Sequence, residues 1–305
     1  MRQRPKIARS FEHLAQRVFN VPLMIEERKA EIICAALHQR LGVTSIDRLD
    51  GTTLEASNML ALAGDAKRSY EDWKPFHADG PVAVIPIDGT LVHKFGWLDP
   101  ISGMTGYDGI ARKLRAALAD DTIKAVWFDV DSPGGEVAGC FALAQEIALA
   151  SASDGGKKPI WAYVNEQACS AAYALTCVCD RVYGPNDAVV GSIGSYVMHV
   201  DFTKALDKAG LKVSIIRAGE RKAKANPYEE LDKEMVTKLQ AWVDDTRDRF
   251  AQLVAMGRQI PLKTVLDTKA DWFTAVDALE LGLIDGIMSE QDAWNLLLQE
   301  LSRSN

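Results

Sequence analysis

Three short segments of this chain hold residue types that could do chemistry at their spacing. The first is Asp131-Ser132-Pro133-Gly134-Gly135. A glycine pair between a strand and a helix N-terminus lets backbone N–H groups face an incoming negative charge, either a phosphate or an oxyanion. A Walker-type phosphate loop would end in Gly-Lys-Ser/Thr, which this segment lacks. An ordinary tight turn is the plainer alternative.

The second segment is Ala168-Cys169-Ser170-Ala171-Ala172-Tyr173. Ser170 falls at an expected loop-to-helix junction, among small residues that leave room for a substrate backbone. The Ala171 N–H beside it would face a developing oxyanion. The same residues would also suit a small-residue helix face packed in the core. Cys169 is the competing nucleophile, but its apolar neighbours offer nothing to stabilise a thiolate. The third segment runs from Ala218 to Pro227 and contains Gly219, Arg221, Lys222 and Lys224. A lysine serves as a general base when burial disfavours its charge. A basic, solvated loop is the commoner fate of such a run.

The elements around these segments alternate. PVAVIPI (81–87), AVWFDV (125–130), IWAYV (160–164), RVYG (181–184), VVGSIGSYVMHV (189–200) and KVSIIRAG (212–219) read as strands. The first is expected to end at Asp88-Gly89. Helices are expected over 107–118, 137–151, 170–177, 230–257, after Pro261, 275–281 and 289–301. In the long one, Met235, Leu239, Trp242, Val243, Thr246, Phe250 and Leu253 form one apolar stripe. Alternation of this kind predicts an α/β domain with mostly buried strands. Before it, 26–41 reads as an amphipathic helix capped by Gly42, and 53–64 as a second, shorter helix. The expected division is a helical extension and linker over 1–78, a catalytic domain over 79–290, and a C-terminal helix or tail over 291–305.

Composition narrows the classes. The chain has 305 residues, with 35 Lys+Arg against 42 Asp+Glu, a net charge of −7. That balance argues against nucleic acid as the main partner. Basic residues at the start lack an apolar stretch behind them, so no signal peptide is expected there. No window is apolar enough to span a bilayer. A cytoplasmic protein without a membrane partner is the expectation. The five cysteines (Cys34, Cys140, Cys169, Cys177, Cys179) are odd in number and mostly in apolar runs, as buried thiols in a reducing compartment would be. Cys177 and Cys179 would make half a metal site, but no second pair completes it.

Taken jointly, the three segments resemble those of the SppA-type serine peptidases (signal peptide peptidase A, or protease IV). They are most similar to the branch of phage head maturation, or capsid assembly, proteases. The family pattern appears as Ser132-Pro133-Gly134-Gly135, Ala168–Ala172, Gly191-Ser192-Ile193-Gly194, and Gly219 to Lys222 with Pro227. Phage-type features are Phe19-Asn20 with Pro22-Leu23-Met24, the run Ser102–Tyr107, and Asn226-Pro227-Tyr228.

The resemblance implies a Clp peptidase/crotonase-like stack of ββα units with an N-terminal helical extension. It implies a Ser–Lys dyad: Ser170 the nucleophile, Lys222 the general base, and Ser192 orienting the lysine. It places the oxyanion hole at Gly134, Gly135 and Ala171. No cofactor and no metal are implied. The expected substrates are proteins or peptides, namely phage scaffold, portal or coat proteins. A homo-oligomer is also expected, in which the lysine can come from a neighbouring subunit. The chain departs from cellular relatives in having Ser-Ala-Ala where they commonly show Ser-Gly-Gly. Lys224 is a rival base. His199, in the apolar run Tyr196–Val200, is a rival partner for Ser170, though a hydrogen-bonded core histidine suits that setting better. A general cytoplasmic peptidase, a catalytically silent assembly component and a crotonase-type acyl-CoA enzyme are the competing functions.

Overall fold

Strands buried on both faces need consecutive apolar residues, and two segments of this chain supply them over their first residues. In Ala125–Glu136, Val126, Phe128 and Val130 enter one core while Ala125 and Trp127 enter another. In Ile160–Cys169, Ile160, Ala162 and Val164 share the first core, and Trp161 and Tyr163 the second. The computed structural model describes residues 74–95 and 103–303, together with the strands at 23–25, 46–47 and 53–54.

The strands, in chain order, are β1 (Leu23–Ile25), β2 (Ile46–Asp47), β3 (Thr53–Leu54), β4 (His77–Asp79), β5 (Val82–Val92), β6 (Met104–Gly106), β7 (Ala125–Glu136), β8 (Ile160–Cys169), β9 (Arg181–Gly184), β10 (Val189–Gly191), β11 (Trp272–Thr274) and β12 (Gly286–Ile287). The α-helices are α1 (Tyr107–Ala119), α2 (Cys140–Ala150), α3 (Ala171–Thr176), α4 (Thr203–Lys208), α5 (Lys233–Gly257), α6 (Leu262–Asp267), α7 (Ala275–Glu280) and α8 (Glu290–Arg303). The main path of the sheet runs β11-β10-β8-β7-β5-β4. Its centre, β10-β8-β7-β5, is parallel. The expected α/β class is therefore what the structure shows.

Each face is covered by helices. α1, α2, α3 and part of α5 pack on the larger core, where Ile110, Leu114, Leu143, Ile147 and Phe250 are buried. On the other face α8 buries Ala293 and Leu297 against Trp127 and Trp161. Trp127 stacks on Tyr163 with ring centroids 5.7 Å apart and meets Trp294 edge-on at 5.1 Å. Asp180 ties the end of α2 to the start of β8. Its carboxylate accepts from the amides of Ala152, Ser153 and Ile160 and from the Ser151 hydroxyl.

Several expectations are corrected. β5 does not end at Asp88-Gly89 but passes through a bulge there and continues to Val92, because Thr90 and Leu91 go on pairing with Gly134 and Gly135. The run 189–200 is a strand only as far as Gly191, and 212–219 is not a strand at all. Leu211, Val213 and Ile216 are exposed, the last at 99%, and this β-prone segment has no partner strand among the described residues. The apolar stripe of α5 is buried only from Thr246 onward, and Trp242 is 47% exposed. Thr53–Leu54, expected to open a helix, instead pairs antiparallel with Ile46–Asp47. The expected helix over 26–41 and the remainder of 53–64 lie outside the described residues. Among the described residues no helix is long and apolar enough to cross a membrane.

Candidate active site

Ser170 sits where β8 stops and α3 begins. Its backbone, at φ 55° and ψ −120°, lies outside the regions open to most L-residues. Such a conformation costs of order 1–3 kcal/mol and persists only where the surroundings hold it. Here they do: the Ser170 amide donates to the Gly191 carbonyl at 2.8 Å, and the Ala174 amide donates to the Ser170 carbonyl at 2.9 Å. Tyr173, on the same short helix, donates its hydroxyl to the Leu283 carbonyl at 2.7 Å. Ser170 is 1% exposed, at the parallel strand ends where open α/β sheets place their sites.

Beside it, Ser132-Pro133-Gly134-Gly135 is not the expected turn into a helix but an irregular continuation of β7. α2 begins only at Cys140, so no helix dipole acts on the glycine pair. Gly135 is pressed against β5: a Cβ there would lie 1.8 Å from the Leu91 carbonyl oxygen. The Ser132 hydroxyl donates to the Gly89 carbonyl at 2.6 Å and accepts from the Gly134 amide at 3.2 Å. That second contact engages the Gly134 N–H within the loop itself.

Gly191 ends β10 and Ser192 follows it. The Ser192 amide donates to the Asp271 carbonyl at 2.8 Å, and Ser192, like Ser170, has positive φ. One bend thus supplies the Gly191 carbonyl that holds Ser170 and carries Ser192 alongside.

Lys222 lies on the loop that follows Gly219. It is exposed on an open concavity lined by Ala218, Gly219, Glu220 and Arg221, and no hydrogen bond joins it to Ser170. Lys224 is committed elsewhere, in a 2.9 Å ion pair with Asp232. The hydrogen bond that Lys224 donates to Asp232 holds its ammonium above its ordinary pKa. His199 makes no hydrogen bond to Ser170. Among the described residues no His/Cys/Asp/Glu group could hold a metal ion.

The profile for "Peptidase family S49" matches residues 152–303, a stretch that contains Ser170, Ser192 and Lys222. The chain belongs to peptidase family S49. Two curated relatives are similar over 96% of this chain. Capsid assembly protease C of Escherichia phage lambda is 35% identical over 297 residues, and Head-tail preconnector protein GP5 of Enterobacteria phage P21 is 34% identical over 300. The chain spans 66% and 58% of their lengths. Among solved structures, ClpP1 from Listeria monocytogenes is similar at a TM-score of 0.44 and 11% identity, covering 68% of this chain and 92% of that one.

Sequence reasoning missed two contributors to the geometry of this candidate site. One is the Ser132 hydroxyl, which had no expected role beyond its place in the motif. The other is β1, paired directly with the glycine segment through Leu23↔Glu136, Met24↔Gly135 and Ile25↔Gly134. The phage-type Pro22-Leu23-Met24 was the available signal, but nothing local in it says where the strand would dock.

Proposed function

We propose that this protein is a serine endopeptidase with a Ser–Lys dyad that processes scaffold, portal or coat proteins during phage or prophage head assembly. The observation that carries the reading is Ser170, buried and held at positive φ beside the Gly134-Gly135 strand, in a chain matched along 96% of its length by Capsid assembly protease C.

In this reading the Ser170 Oγ attacks the scissile carbonyl while neutral Lys222 accepts its proton, then returns it to the leaving amine. The Ser192 hydroxyl orients the lysine. The oxyanion lies between the N–H groups of Gly135 and Ala171, each contributing about 3–4 kcal/mol to the transition state. Gly134, whose N–H faces Ser132, shapes the loop. Lys222 reaches Ser170 of a neighbouring copy. This is supported by its exposure and by the exposed apolar residues Leu211, Val213 and Ile216 shortly before it. The enzyme acts in the host cytoplasm or inside the procapsid, with no cofactor.

The test co-expresses wild type, Ser170→Ala and Lys222→Ala with the scaffold and portal proteins encoded beside it, and reads every chain by intact-mass spectrometry. Cleavage products are expected with wild type alone. Cleavage that survives Lys222→Ala but is lost in His199→Ala overturns the dyad. An assembled wild type that cuts no chain supports a silent assembly component instead.

A further inference from the structure

An extended peptide reaches a nucleophile at a sheet edge most simply by adding itself as a strand. Beside the nucleophile the sheet leaves a place for such a strand. Along the last residues of β7, one edge is closed by β5, through Thr90↔Gly134 and Leu91↔Gly135. The other edge is lined by β8, but only as far as Ser132↔Ala168. Beyond Cys169 the chain turns at Ser170 into α3, and the edge beside Gly134, Gly135 and Glu136 falls vacant immediately past the nucleophile.

That vacancy is filled by β1. It pairs antiparallel with β7, with Leu23 opposite Glu136, Met24 opposite Gly135 and Ile25 opposite Gly134. β8 runs parallel to β7 and ends at the nucleophile, so β1 runs the opposite way and approaches Ser170 from residue 23 towards residue 25. This is the direction required of residues on the N-terminal side of a bond that Ser170 attacks. The far end of the slot is pinned: the Tyr107 hydroxyl donates to the Glu136 carbonyl at 2.7 Å, and the His93 amide donates to the Glu136 carboxylate at 2.7 Å.

We infer that Leu23–Ile25 is a pseudosubstrate: it occupies the acyl-side peptide channel of the catalytic site, and a substrate segment must displace it to reach Ser170. The inference rests on the reading of Ser170 as nucleophile. It goes beyond that reading in naming the ligand class of the channel, an extended segment of the Leu-Met-Ile type.

The experiment measures binding, so it does not depend on proton transfer by Lys222 or on turnover. A fluorescein-labelled peptide with the sequence of residues 19–28 is titrated into Ser170→Ala and into Ser170→Ala/Met24→Pro. Proline removes a strand N–H and is disfavoured within a sheet, so the internal strand is released. Releasing a competitor that fills the site about nine-tenths of the time lowers the apparent Kd about tenfold. Ser170→Ala/Ile25→Asp is expected to move it the same way, which guards against a folding defect peculiar to the proline variant. Hydrogen exchange on Ser170→Ala supplies an independent reading: the amides of residues 23–25 are protected, and excess peptide abolishes the protection. Equal Kd values in all three proteins, no saturable binding by any of them, or free exchange at 23–25 overturns the inference. Loss of cleavage in Lys222→Ala with normal peptide binding bears only on the dyad.

Discussion

The amide of Ser170 donates a 2.8 Å hydrogen bond to the carbonyl of Gly191. This contact joins the end of β8 to the bend after β10 and fixes the strained turn on which the serine rides. Gly191 itself has φ +114°, and a Cβ there would lie 2.9 Å from the Asp271 carbonyl oxygen. Gly191→Ala must therefore shift the bend. Stability is expected to fall by about 1–3 kcal/mol in urea unfolding. Reaction of Ser170 with a small acylating probe is expected to slow by about tenfold or more, since a displacement of this order misaligns the attack. An unchanged labelling rate would show that the serine is held by other contacts.

The two neighbouring lysines should separate cleanly. Lys224 is paired with Asp232, whose carboxylate also caps α5 by accepting from the Met235 amide at 2.8 Å. Lys224→Ala is expected to leave peptide hydrolysis within about threefold of wild type, as for loss of an exposed ion pair. Lys222→Ala is expected to lower it by about a thousandfold or more. A steady-state comparison at one enzyme concentration decides the assignment, and the reverse order would make Lys224 the base.

Stability should depend on pH through Asp88. Burial, with Asp129 and Asp131 close by and Lys113 opposing, pushes its carboxyl up to about 6. A carboxyl raised on folding keeps its proton longer in the folded chain than in the unfolded one. The folded state is therefore favoured below the unfolded value near 4 and loses stability as pH rises through about 6. Asp88→Asn is expected to be more stable than wild type by about 2 kcal/mol at pH 8, and to differ little at pH 4. Urea midpoints at the two pH values measure this. A difference independent of pH would show that the gain comes from packing.

The described cysteines should resist alkylation in the native protein. Cys140, Cys169, Cys177 and Cys179 are all buried, and burial pushes the Cys140 thiol up to about 12 and the Cys179 thiol well above its usual range. Iodoacetamide at pH 8, followed by peptide mass mapping, is expected to modify these four only after denaturant is added. Fast modification of Cys169 would reveal an opening next to Ser170.

What could be foreseen from residue order follows the range of the interactions involved. Val126, Phe128, Trp161 and Tyr163 announce buried strands because both faces of each strand are apolar over a few residues. Ser170 among alanines and Gly134-Gly135 after Ser-Pro are equally local patterns, and the structure places both segments at one end of the sheet. Three features depend on distant partners and could not be seen that way. Asp88-Gly89 looks like a strand end, but Gly134 and Gly135 draw β5 onward past it. The preference of Lys224 for Asp232 is settled by the fold of its loop. Lys212–Gly219 has the composition of a strand, yet among the described residues nothing pairs with it.

Under the proposed sharing of Lys222 between copies, its exposure has a kinetic consequence. A catalyst that borrows its base from a neighbour has a rate that climbs faster than in proportion to its own concentration. Freshly made chains, sparse in a large volume, would idle. The same chains crowded into a small shell would fire together, so confinement would serve as the timer without any chemical signal to start it.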